Sequence, residues 1–82
     1  MGIDRLSRAG VERLREQYPY GTRIICLQMN DPHPIPANTC GTVLHVDDIG
    51  TVHCRFDNGR QLGLIPYVDD FRILTADEVQ KK

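Results

Sequence analysis

Residues 41–66 read GTVLHVDDIGTVHCRFDNGRQLGLIP, and this stretch decides the fold. Two runs rich in β-branched residues, 40–47 and 51–57, are joined by the acidic turn Asp47-Asp48-Ile49-Gly50. In the second run Val52, Cys54 and Phe56 alternate with Thr51, His53 and Arg55, so the apolar set faces one way and the polar set the other. Asn58-Gly59 then gives the strongest hairpin signal in the chain, because both residues accept the positive φ of a type I′ turn. Residues 60–65 pair back across it.

Outward from this core, residues 22–29 (TRIICLQM) form another strand, with Ile24 and Cys26 on one side and Ile25 and Leu27 on the other. Apolar residues on both faces imply a core side and a second side that needs a cover. Residues 30–38 (NDPHPIPAN) hold three prolines, which cannot donate to a ladder, so this segment is a long stiffened loop. After residue 65, Pro66-Tyr67-Val68-Asp69 reads as a single 3₁₀ turn and residues 71–74 as a last short strand. Five short strands with a long loop after the first predict a small closed barrel. Its core is expected to hold Ile24, Val43, Val46, Val52, Phe56, Leu62, Leu64 and Phe71.

Upstream, Leu6, Val11, Leu14 and Tyr18 lie along one side of a helix of about three turns. Asp4 or Ser7 can cap it, Gly10 weakens it, and Pro19 stops it. A helix this short needs a docking surface, and the second apolar side of residues 22–29 is the expected one, with Leu14 against the barrel. Thr75 and Glu78 have capping-box spacing, but only Val79 follows as an apolar anchor, so the tail is expected to fray. The organisation is thus a helix over 1–17, a barrel over 18–74 and a tail over 75–82.

Composition narrows the function classes. Eighty-two residues make one domain, with a net stability of roughly 3–5 kcal/mol. No apolar run approaches the roughly 20 residues of a membrane helix, and the first residues lack the apolar stretch of a signal peptide. Three cysteines, without C-x-x-C spacing, fit a cytoplasmic protein with free thiols. The net charge of −1 provides no global field for nucleic acid or membranes.

The residues able to carry chemistry fall into four groups. Cys26, Cys40, Cys54, His33, His45 and His53 lack the paired spacings of a metal site, so neither metal nor cofactor is expected. Asp47-Asp48 and Asp69-Asp70 are neighbours whose side chains diverge, which suits turns better than acid/base catalysis. No nucleophile has a recognisable base, and the chain is expected not to be an enzyme. Tyr20, His33, Pro36, Pro66 and Tyr67 could line an aromatic groove for a protein partner, with Tyr18 either joining it or closing the helix's apolar side. Arg5, Arg8, Arg13, Arg15 and Arg23 could gather as a nucleic-acid contact, although interleaved acids oppose this.

The run GLIPYVDDF after FDNG is similar to the end of SH3-like barrels, in which such a segment enters a 3₁₀ turn and a final strand. The pieces VERLREQYPYGTR, MNDPHPIP, GTVLHVDDIG, FDNG and GLIP together resemble a bacterial and phage or mobile-element family catalogued as a domain of unknown function, the one numbered 4314. The resemblance covers residues 11–74. It implies a mainly β fold: a small five-stranded SH3-like barrel preceded by one N-terminal helix. It implies no activity. The expected function is a non-enzymatic binding or accessory module for a protein partner, with a weak nucleic-acid-binding module as the alternative.

Overall fold

The computed structural model describes residues 7–29, 32–66 and 68–80. Along them run α1 (Arg8–Gln17), β1 (Arg23–Gln28), β2 (Thr39–Val46), β3 (Val52–Phe56), β4 (Gln61–Leu64), β5 (Asp70–Ile73) and α2 (Ala76–Gln80). The strands form one antiparallel sheet in the order β4-β3-β2-β1-β5.

Sheet register explains which side chains are buried. Val43 lies opposite Cys54, and Val46 opposite Val52, although the two valines are three residues apart. A bulge at Leu44 absorbs the extra residue and returns Val46 to the inner face. On that face Ile24, Cys26, Val43, Val46, Val52, Cys54, Phe56 and Leu64 are buried, and Leu62 and Phe71 are half-buried against them.

The Asn58-Gly59 hairpin differs from the expected type I′ geometry. Gly59 N–H donates to the Phe56 carbonyl at 2.9 Å, and only Gly59, not Asn58, has positive φ, at 93°. This is a three-residue loop, a type I turn completed by a left-handed glycine. Asn58 instead accepts from Arg60 N–H through its side chain at 3.0 Å. The β2–β3 turn repeats the design, with Gly50 N–H bonded to the Asp47 carbonyl at 3.1 Å and Gly50 at φ 90°.

The sheet does not close into the barrel expected from the strand count. Among the described residues β4 and β5 each pair on one side only. The inner face is sealed instead by side chains from outside the sheet: Val11, Leu14 and Tyr18 from α1, and Met29 and Ile35 from the β1–β2 segment. Ile35 is 2% exposed, so the proline loop anchors one residue in the core.

The helix also docks on the face opposite to the expected one. Ser7 caps it by accepting from Gly10 N–H at 3.1 Å. Val11 enters the same cluster as Ile24 and Cys26, and the Tyr18 ring lies 5.6 Å from that of Phe71, the residue opposite Cys26. The helix therefore covers the core side, where more apolar area is available, while Ile25 and Leu27 on the strand stay half-exposed. Leu6 and Asp4 lie outside the described residues. At the other end, where a frayed tail was expected, α2 is capped reciprocally: Thr75 N–H donates to Glu78 at 2.8 Å and Glu78 N–H to Thr75 Oγ1 at 3.2 Å.

Candidate functional site

The four described groove residues, Tyr20, His33, Pro36 and Pro66, do not come together. Tyr20 occupies the turn before β1, where Thr22 N–H closes on the Pro19 carbonyl at 3.1 Å and Gly21 takes φ 92°. Its side chain is 80% exposed. His33 and Pro36 lie beyond the other end of β1, whose six residues span about 20 Å. There the Arg60 guanidinium donates to the His33 and Pro34 carbonyls at 2.9 and 3.3 Å, tying the loop to the β3–β4 hairpin. Pro66 follows β4, whose last residue Leu64 lies opposite Val52, away from that loop. Tyr67 is outside the described residues. Tyr18, half-buried against Phe71, belongs to the helix's apolar side.

Nor do the described arginines of the candidate set form one face. Arg8 and Arg13 are exposed on α1. Arg15 is committed to docking: its Nε donates to the Val46 carbonyl at 3.1 Å and its guanidinium pairs with Asp48 at 2.8 Å. Arg23 lies on the outer sheet face, bound to Thr42 at 3.0 Å and to both oxygens of Asp57 at 2.9 and 2.7 Å. Arg5 is outside the described residues.

Sequence reasoning missed two arrangements that depend on register. On the outer face Arg23 lies opposite Thr42 and Thr42 opposite Arg55, while Arg72 lies opposite Ile25. Beside them His45 and His53 form a cross-strand pair with rings 4.5 Å apart and 14° from parallel. His53 Nε2 is 2.8 Å from Asp47 Oδ2, and Asp47 Oδ1 accepts from Ile49 and Thr51 N–H at 3.1 and 2.9 Å. Burial pushes the Asp47 carboxyl up, but these hydrogen bonds outweigh it and hold the group below its ordinary value. Alternation placed His53 and Arg55 on one face; what they meet across the sheet needed the bulge at Leu44.

The remaining polar candidates serve the fold. Asp69 is buried, and its Oδ2 accepts from Ile65 N–H at 2.9 Å, closing the turn before β5. Burial, with Cys26 nearby, pushes the Cys54 thiol up to about 12, and burial likewise raises Cys26. Among the described residues no three His, Cys, Asp or Glu side chains converge as metal ligands. No described helix is long and apolar enough to cross a membrane.

Exposed large apolar side chains are unevenly distributed. Of six among the described residues, Ile65, Val68, Ile73 and Val79 fall within residues 65–79, around β5. Tyr20 and Ile49 are the others.

No curated protein and no solved structure matches the chain. A family model does match, over residues 7–74, which takes in α1 and every strand. The chain belongs to the family described as Domain of unknown function (DUF4314).

Proposed function

We propose that this chain is a non-enzymatic binding or accessory module that engages a protein partner through the surface built by residues 65–79. The observation that carries the reading is the concentration there of Ile65, Val68, Ile73 and Val79, each at least 38% exposed, beside a sheet edge that no described strand pairs. Apolar side chains grouped on one part of a small domain favour a docking surface. Asp47 and Asp69 accept backbone N–H groups in turns, Asp48 pairs with Arg15, and two of the three thiols are buried and held protonated. In this reading the strand order is that of an SH3-like barrel left open between β4 and β5, in a cytoplasmic protein of bacterial, phage or mobile-element origin.

The test is affinity capture with the tagged chain from a cell that carries it, repeated with Val68→Asp and Val79→Asp. A specific protein lost with either variant supports the reading; equal capture by all three chains overturns it.

Arg55 favours a second reading, weak nucleic-acid binding. It is exposed on the outer face and has no carboxylate partner among the described residues. Titration with short DNA and RNA would then move amides near Arg55, more strongly at low salt. No shifts at either salt concentration would remove it.

A further inference from the structure

The two open edges of the sheet are not equivalent. β4 presents exposed Gln61, half-buried Leu62, a bare backbone at Gly63 and buried Leu64, so the strand offers little apolar surface. On β5 the backbone and the side chains both address solvent. Leu74 N–H donates to the Arg23 carbonyl at 2.9 Å, and Arg72 lies opposite Ile25 in the same ladder. Antiparallel alternation then turns the N–H and C=O groups of Phe71 and Ile73 away from β1, toward a side where no described strand pairs and where the Ile73 carbonyl meets only the Arg72 guanidinium, at 3.4 Å.

The two faces of this edge differ in chemistry. Phe71 and Ile73 lie opposite Cys26 and Ile24, hence on the inner, apolar side, and Ile73 is 40% exposed. Asp70 lies opposite Gln28 on the other side, and Asp77 stands in the first turn of α2 just beyond the strand. Both are exposed, and neither carboxylate makes a hydrogen bond or ion pair among the described residues. The strand's own cation, Arg72, is neutralised by two bonds to Glu78 at 2.8 and 2.7 Å. What remains is an apolar stripe on one side and unopposed carboxylates on the other.

We infer that the open edge of β5 takes an extended peptide segment of the partner by strand addition, the segment alternating apolar side chains with lysine or arginine. This rests on the protein-binding role proposed above and specifies its mode. Backbone bonds to Phe71 and Ile73 supply the register. The period of two places the apolar residues over Ile73 and the cations beside Asp70 and Asp77.

The experiment uses the full chain and two acetylated eight-residue peptides, one alternating valine with lysine and one alternating valine with glutamate. The lysine peptide is expected to shift and slow the exchange of the Phe71 and Ile73 amides. The glutamate peptide should bind about threefold to tenfold more weakly, as expected of exposed charge pairs. Asp70→Lys with Asp77→Lys should reverse that preference while leaving the fold intact, since neither side chain holds any other group. Ile73→Pro, which removes one outward N–H, should abolish binding of both peptides.

Several outcomes would overturn the inference. Shifts confined to β4 or α1 would do so, as would no binding of either peptide at about 1 mM. Protection that appears with rising protein concentration alone would assign the edge to a second copy of the chain. A captured partner lost with Val68→Asp, whose complex leaves the Phe71 and Ile73 amides exchanging freely, would keep the docking surface and remove strand addition.

Discussion

Gly41 lies where the sheet leaves no room for a side chain: a Cβ there would stand 2.8 Å from Phe56 Cδ1 and 3.0 Å from the Arg55 carbonyl. Phe56 is 1% exposed and has nowhere to retreat. Gly41→Ala is therefore expected to cost about 1–3 kcal/mol, read as a lower urea midpoint at unchanged slope. Asp69 presents the converse case, a buried acceptor rather than a missing side chain. Asp69→Ala leaves the Ile65 N–H without its partner and should cost about 1–3 kcal/mol. The cysteines give a reactivity order. Cys40 is half-exposed, whereas Cys26 and Cys54 are buried with raised pKa. One thiol should react promptly with a disulfide reagent at neutral pH and two only on unfolding; prompt reaction of all three would contradict the buried positions.

At the scale of elements, α2 is only five residues long and depends on what holds it. Glu78 serves twice, accepting from Thr75 N–H and from the Arg72 guanidinium. These bonds, the one from Arg72 foremost, hold its carboxyl well below the ordinary 4.5, at about 2. A depressed carboxylate pKa means that the native state keeps the group ionised where the unfolded chain protonates it. Its contribution is thus fully present above pH 4.5 and is lost as the pH falls toward about 2. The carbon shifts that report helix over residues 76–80 should therefore collapse in this window, and Arg72→Gln should move the collapse upward. A helix unaffected by pH in both proteins would sever the link. For α1, Ser7→Ala removes the acceptor for Gly10 N–H and should cost about 1 kcal/mol.

For the molecule as a whole, the open sheet makes α1 part of the core rather than an appendage. Val11 is 3% exposed, and it shares its cluster with Ile24, Val43 and Val52. Arg15 reinforces the docking through the Val46 carbonyl and Asp48. Val11→Asp would bury a carboxylate among apolar side chains while Arg15, one turn along, is already committed to the Val46 carbonyl and Asp48, at a cost of about 3 kcal/mol or more. Against a total of roughly 3–5 kcal/mol, the whole chain, not only the helix, should lose its dispersed amide spectrum at room temperature. A mutant that keeps the sheet's spectrum would show that strands alone suffice.

Strand identity was legible because it rests on local rules. Alternation in VHCRF, proline in NDPHPIPAN and the glycines closing DDIG and DNG mark strands, loop and turns without reference to anything distant. Six of the eight expected core residues, Ile24 and Phe56 among them, are buried for the same reason. Local rules thus placed α1, the five strands, their order along the chain and the inner face of each strand, but not α2. Tertiary structure alone decided what meets across the sheet. The bulge at Leu44, the docking face of α1, the insertion of Ile35 and the open edge of β5 each depend on register and on competition for one small core. The candidate site was the least legible part, since Tyr20 and His33, near each other in sequence, are separated by the length of β1, whereas Arg72 and Ile25, far apart in sequence, share a rung.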